Sequence, residues 1–290
     1  MRRMLLILIG IGLVLITISV IAVYFAFGPS DIDKGLVAYW SFNEGSGTVA
    51  YDSIGAYNAM IHGATYTSSR EGCSDEDNDY ALRFIRTEHD YVETPLDQLE
   101  EQTISFWFKV NATEEAKGIA ISTHVKNDNY GNLAIGIANF DAGVAVVCIE
   151  HASSTSWSHP PMLSTGSGTN YNYNDDEWHH VVFIYEGEGN YQLFVDGLLK
   201  DIFSGTALSD DRPYIFGRLQ PNQQGEGYWF NGSLDEVRIY DRVLNPSEIL
   251  NLYNNPGGNQ TRGFEFILVV FVFLGVVVLK KNQSYFFRSK

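Results

Sequence analysis

The sequence predicts an all-β protein: an antiparallel β-sandwich (jelly roll) with one short C-terminal helix, flanked by two transmembrane helices. Three observations predict it. Between the two ends, short strand-like runs recur, separated by clusters of Gly, Asn, Asp and Ser, with no helices alternating between them. Residues 103–110 place Ile104, Phe106, Phe108 and Val110 on one face at period two, the periodicity of a half-buried strand. Finally, residues 4–27 and 264–279 are apolar runs that open and close the chain.

The first run carries no charge and follows Arg2 and Arg3. As a helix it extends about 36 Å, enough to cross a bilayer. The competing reading is a cleaved signal peptide. The run is longer than the apolar core of such peptides, and its one small-x-small site, Ala26-Phe27-Gly28, is followed by Pro29. Residues 1–28 are therefore expected to be an uncleaved anchor. The folded domain is expected over residues 34–253, with strands at 36–42, 80–84, 91–93, 103–110, 119–124, 133–138, 144–149, 178–185, 191–195, 198–203, 214–216 and 234–240. Val195-Asp196-Gly197-Leu198 is a tight hairpin signal between two of them. The single expected helix spans 246–253. Asn245 caps it, Pro246 sits in its first turn, and Asn254, Asn255 and Pro256 end it. Residues 254–263 form a linker. Residues 264–281 are a second transmembrane segment or a sorting signal: the run spans only about 24 Å as a helix and contains Glu265, but Lys280 and Lys281 follow it. Residues 282–290 are a basic tail.

Charge sets the topology. The formal net charge is −16, and all but one of the 35 acidic residues lie between the apolar runs, whereas six of the 19 Lys and Arg lie beyond them. By the positive-inside rule both termini are cytoplasmic and the acidic central domain is extracellular, at the cell membrane. The acidic balance excludes nucleic acid and anionic lipid surfaces as partners of the domain, since both need Lys/Arg patches. Two cysteines exclude a disulfide scaffold. Cys73 lies in an acidic loop and Cys148 in an apolar strand; whether they pair is left open, because a bridge requires Cα atoms within about 7 Å. Asn111, Asn231 and Asn259 head N-x-[S/T] sequons, acceptors for N-glycosylation in a lineage that glycosylates.

Several segments together carry a family resemblance: Gly35-Leu-Val-Ala-Tyr-Trp-Ser-Phe-Asn-Glu-Gly-Ser-Gly, Tyr51-Asp-Ser, Ile61-His-Gly-Ala, Ala81-Leu-Arg-Phe, Asp90-Tyr-Val-Glu-Thr-Pro, Thr103-Ile-Ser-Phe-Trp-Phe-Lys, Glu177-Trp-His-His-Val-Val, Leu193-Phe-Val-Asp-Gly and Gly232-Ser-Leu-Asp-Glu-Val-Arg-Ile-Tyr-Asp-Arg. In order and spacing the chain resembles the LamG-like jelly roll of the concanavalin A-like lectin/glucanase superfamily. The resemblance implies the fold, but not one function, because this fold hosts lectins, glycosidases and adhesion modules. It also implies that the first and last strands lie side by side.

Four constellations could carry chemistry. The resemblance implies a structural Ca²⁺ held by Asp52, the Gly55–Asn58 loop and Asp235. Pattern adds that Asp235 shares strand parity with Val237 and Ile239, so its carboxylate must be paired, hydrogen-bonded or metal-bound. The alternative is a carboxylate bonded to backbone N–H groups. Glu88-His-Asp-Tyr-Val-Glu93 spells the E-x-D-x-x-E run of laminarinase-like hydrolases, but it straddles a turn, and Glu88 and Glu93 have opposite strand parity. His179 and His180 are adjacent in a strand, face opposite ways and cannot share a metal. Trp157, Tyr171, Tyr173 and Trp229 lie in or beside polar loops, where rings can stack on sugars. The expected function is a membrane-anchored cell-surface recognition module, not an enzyme, that binds glycan or extracellular protein partners. The runner-up is a structural envelope component; a glycoside hydrolase ranks third.

Overall fold

The structure, a computed structural model, describes residues 32–69, 79–110, 117–123, 133–141, 144–151, 163–165, 173–205, 207–208, 212–219 and 229–257. Both apolar runs, and with them the expected anchors, lie outside these residues. Among the described residues no helix is long and apolar enough to cross a membrane.

Two antiparallel sheets of eight strands face each other. Sheet A runs β14 (Leu198–Ser204), β13 (Asn190–Val195), β12 (Trp178–Tyr185), β7 (Gln102–Lys109), β16 (Gly232–Tyr240), β5 (Tyr80–Phe84) and β4 (Thr65–Ser68), with β1 (Leu36–Trp40) beside the second half of β16. Sheet B runs β11 (Leu163–Ser164), β10 (Val144–His151), β9 (Leu133–Asp141), β8 (Lys117–Ser122), β15 (Pro213–Phe216), β6 (Tyr91–Asp97), β3 (Ala59–His62) and β2 (Val49–Ala50). The expected adjacency of first and last strands is present as the β1–β16 pair. Strands β2, β3, β4 and β11 add to the expected set; they are two to four residues long, too short to show a period.

The core lies between the sheets. Ile104, Phe106 and Phe108 of β7 point inward, as the period-two pattern requires, and join Val92, Ile121, Ile135 and Phe216 of sheet B. Trp40 meets Phe216 edge-on at 5.3 Å and donates its indole N–H to the Tyr57 carbonyl at 2.9 Å. Each such buried side chain contributes about 1.5–3 kcal/mol relative to exposure.

A second apolar cluster covers the outer face of sheet A. Helix α1 (Pro246–Asn254) lays Ile249 and Leu252 against Val182, Ile184, Phe194 and Tyr240, with Ile32 and Leu244 completing the cluster. Asn245 caps the helix through the Ser247 and Glu248 N–H groups, and the Glu248 carboxylate reaches back to the Asn245 N–H, a full capping box. Arg242 grips Glu248 with two bonds of 2.9 Å. Tyr253 stacks on Trp107 at 5.6 Å, and Trp107 stacks on His180 at 5.0 Å.

One parity expectation is overturned. Asp235 does not point into the core with Val237 and Ile239. A bulge in β16, with Glu236 at φ 53°, inserts a residue between Asp235 and Arg238 relative to β7. Leu234, Val237 and Ile239 are in the core, while Asp235 pairs with Trp107 and shares that residue's outward face.

Candidate functional site

The expected calcium residues fall into two separate arrangements. Asp52 sits in the loop between β2 and β3. Its Oδ1 accepts the N–H groups of Tyr39 and Ile54, at 2.9 and 3.0 Å, and its Oδ2 those of Ala56 and Tyr57, at 3.1 and 3.0 Å. Asn58 accepts the Asp52 N–H through its side-chain oxygen at 3.0 Å, and Gly55, at φ 95°, lets the chain turn around the carboxylate. Four N–H donors converge on the two carboxylate oxygens and leave no acceptor position for a cation. The alternative of a carboxylate bonded to backbone N–H groups is what the structure has here, and the donor set does not fit Ca²⁺.

Asp235 is buried on the outer face of sheet A. It accepts the Ser69 hydroxyl and the Glu236 N–H. Glu236 accepts the Tyr39 hydroxyl at 2.8 and 2.9 Å and the Arg238 guanidinium at 2.5 Å, and Arg238 lies over the Tyr39 ring. Burial, and then the Glu236 charge, pushes the Asp235 carboxyl well above the usual carboxylate range. Burial also raises Glu236, against the pull of Arg238. Among the described residues no group of three or more His, Cys, Asp or Glu is arranged to hold a metal ion.

The remaining expected residues are placed as follows. Tyr173 is not an exposed ring: it is buried in the core against Phe108, because the approach to β12 folds back over the end of β7. Cys148 lies in β10 opposite Gly136; Cys73 is outside the described residues, as are Trp157, Tyr171, Asn111 and Asn259. Asn231 accepts the Arg86 N–H at 3.5 Å. Glu88 ends a 3₁₀ turn, Arg86–Glu88, and His89 follows it in the left-handed region, so Glu88 and Glu93 belong to different elements. His179 and His180 face opposite ways: His180 bonds Ser105 beneath α1, and His179 bridges Asp196 and Asp175 at 2.9 and 3.1 Å.

Trp229, the remaining ligand candidate, belongs to a cluster on the outer face of sheet B. In β6, Val92, Thr94 and Leu96 turn inward, so Tyr91 and Glu93 turn outward. In β3, Ala59 and Ile61 turn inward, so Met60 and His62 turn outward. The β3–β6 register sets His62 beside Tyr91 and Met60 beside Glu93. The His62 and Tyr91 rings stack at 4.3 Å, 11° apart. Arg218 covers the Tyr91 ring, its guanidinium carbon 3.6 Å from the ring centre and 5.4 Å from that of Trp229. Glu93 lies between Arg218 and His62, 3.6 Å from Arg218 Nη2 and 3.5 Å from His62 Nε2. Trp229 completes the cluster, 4.6 Å from His89 and 6.1 Å from Tyr91.

Backbone geometry fixes this group. Arg218 bridges Trp229, its carbonyl accepts the Ser122 hydroxyl at 2.8 Å, and the flanking Gly217 N–H donates to Ala120 at 2.9 Å. Gly217 has φ 87°, and a Cβ there would lie 2.4 Å from the Phe84 ring. Gly118 is needed for a different reason: a Cβ on it would lie 2.4 Å from the Trp229 carbonyl and the Phe230 Cα. Burial lowers the Arg218 pKa, while Tyr91 and Glu93 oppose that shift. Guanidinium donors and carboxylate acceptors thus sit side by side at the edge of a stack of rings. That combination suits a polyhydroxylated ligand, whose neighbouring hydroxyls need both a donor and an acceptor and whose C–H faces need an apolar surface. Sequence reasoning found Trp229 but not His62, Tyr91 or Arg218; the outward parity of Tyr91 and Glu93 in one strand was the available signal.

Comparison with known proteins agrees with the fold. A family model described as the concanavalin A-like lectin/glucanases superfamily matches residues 86–250. Over 101 residues the chain is 30% identical to rat (Rattus norvegicus) sushi, von Willebrand factor type A, EGF and pentraxin domain-containing protein 1, covering 31% of this chain and 3% of that protein. Over 166 residues it is 26% identical to C-reactive protein 1.4 of Limulus polyphemus, covering 54% of this chain and 63% of that one. The chain therefore spans less than two thirds of the length of either relative. Among solved structures, domain 4 of AbnA, an extracellular arabinanase from Geobacillus stearothermophilus in complex with arabinotriose, superposes with a TM-score of 0.53 at 16% identity, over 75% of this chain and 98% of that domain.

Proposed function

Because this chain belongs to the concanavalin A-like lectin/glucanases superfamily, we propose that it is a non-catalytic recognition module that binds glycan on the outer face of sheet B. The observation that carries this reading is the Arg218–Tyr91–His62 stack, with Glu93 and Trp229 at its edge. Arg218 donates to a sugar hydroxyl, Glu93 accepts from its neighbour, and Trp229 supplies the apolar surface. The superposed arabinanase domain, solved with arabinotriose, supports an oligosaccharide as ligand class.

Hydrolysis is not part of the proposal. Retaining and inverting glycosidases need two carboxyl groups at a set separation across the scissile bond. Glu88 sits on a 3₁₀ turn and Glu93 on a strand, where Glu93 is engaged by Arg218 and His62. Residues 4–27 and 264–279 tether the module to the cell membrane with the acidic domain outside. The test is a glycan array probed with the full chain in phosphatidylcholine nanodiscs. Binding to a defined set of oligosaccharides that is lost in Trp229→Ala supports the reading; turnover of any bound oligosaccharide overturns its non-catalytic part.

A further inference from the structure

The opposite face of the sandwich carries an apolar strip that the glycan reading does not use. In the β13–β14 ladder, Leu199 pairs with Phe194 and Ile202 with Gln192, so both lie on the outer face of sheet A, at its edge. Leu250 of α1 leans over the hairpin turn, with its Cδ1 3.2 Å from where a Cβ of Gly197 would be. These three side chains are 48%, 62% and 48% exposed, and Leu199 sits beside Phe194 of the buried cluster beneath α1.

The same face holds both ends of the described domain. Ile32 packs into the cluster beneath α1, and the Pro256 carbonyl accepts a bond from Arg238 on the outer side of β16. Four residues separate Ile32 from the first apolar run, and six separate Gly257 from the second. Fully extended, such links reach at most about 15–25 Å. A domain tethered by two short links from one face turns that face toward the bilayer.

We propose that Leu199, Ile202 and Leu250 rest in the headgroup–acyl boundary of the membrane, so that sheet A faces the lipid and the glycan face of sheet B points away from the cell. This rests on the anchored reading of the terminal runs. The contact is apolar, so it needs no anionic lipid, in keeping with the acidic balance of the domain.

The test places the photo-cross-linker p-benzoylphenylalanine at 199, 202 or 250 in the full chain in phosphatidylcholine liposomes, with 51 and 60 as controls because Tyr51 and Met60 are comparably exposed (59% and 48%). Circular dichroism checks folding of each variant. Lipid adducts at 199, 202 and 250, at least fivefold more abundant than at 51 and 60, are expected. Equal adduct yields at all five positions, or cross-links from 202 and 250 to a second copy of the chain, overturn the proposal. Carbonate extraction reports separately on anchoring. A chain stripped from the liposomes refutes the tether, and the membrane contact with it; a retained chain without the adducts refutes the contact alone.

Discussion

The guanidinium carbon of Arg218 lies 3.6 Å from the centre of the Tyr91 ring, and the His62 ring, from the neighbouring strand β3, stacks on the same ring at 4.3 Å. Both contacts hold the Tyr91 ring, so the Glu93–Arg218 edge is positioned before a ligand arrives. Such pre-organisation reduces the ordering cost of binding.

Gly118 positions this edge without touching a ligand. Its missing Cβ admits the Trp229–Phe230 backbone. Gly118→Ala is expected to destabilise the domain by about 1–3 kcal/mol, as overpacking does, and to weaken glycan binding because Trp229 is pushed outward. Thermal melts together with binding to the oligosaccharide selected on the array check both effects. Unchanged binding would show that the backbone approach is not needed to place Trp229.

Asp235→Asn is expected to stabilise the protein at neutral pH. The folded-state pKa of Asp235 is raised by burial and by Glu236, so its favourable contribution is present below the unfolded carboxylate pKa of about 3.9 and is lost as pH rises through the folded value. An amide still accepts the Glu236 N–H and can donate to the Ser69 hydroxyl. Melting temperatures at pH 4 and pH 7.5 test this: a rise of about 3 °C at pH 7.5, shrinking toward pH 4, is expected. A fall at pH 7.5 would contradict it.

His179 is the opposite kind of switch in chemistry but follows the same sign. Burial alone would lower its pKa, but its bonds to Asp196 and Asp175 raise it. The stabilisation is therefore complete below the unfolded histidine pKa of about 6.5 and disappears as pH climbs through the folded value. Because Asp175 is 40% exposed, the effect is small, about 1 kcal/mol or less. A pH series of melts from 5 to 9 is expected to show a decline above pH 6.5 that His179→Gln flattens.

Asp52→Asn tests the role of the β2–β3 loop carboxylate. An amide presents one acceptor oxygen where the carboxylate presents two, so the Ala56 and Tyr57 N–H groups lose their partner. The cost of the two lost bonds is expected at about 3–6 kcal/mol, since bonds to charged acceptors contribute about 1.5–3 kcal/mol each. The drop in melting temperature is expected to be the same in EDTA and in Ca²⁺. A calcium-dependent gain that Asp52→Asn abolishes would make Asp52 a ligand.

Much of the fold was legible because alternation is a local property. Residues 103–110 carry unlike faces, and their partners across the core did not need to be known; residues 178–185 are apolar on both faces and were legible as a run of β-branched and aromatic residues. Strand β4, Thr-Tyr-Thr-Ser, has no apolar residue to mark a face other than its tyrosine, and β2 is too short to alternate. The Asp235 parity failed for a specific reason: the bulge at Glu236 adds one residue, and period two cannot reveal an insertion. The site was the least legible part. His62, Tyr91, Arg218 and Trp229 come from β3, β6 and the chain after β15, and only the strand order of sheet B brings them together. Trp229 was visible as a ring beside a polar segment; Arg218 had no local mark at all.

We propose that the outer face of sheet B binds oligosaccharide through Arg218, Glu93 and Trp229. Isothermal titration of the full chain in phosphatidylcholine nanodiscs with the array-selected oligosaccharide tests it most directly, comparing wild type with Arg218→Lys and Trp229→Ala. A lysine keeps the charge but not the planar, stacked fork of donors. At least tenfold weaker binding is expected in both variants, with circular dichroism unchanged. Wild-type affinity retained in both would contradict it.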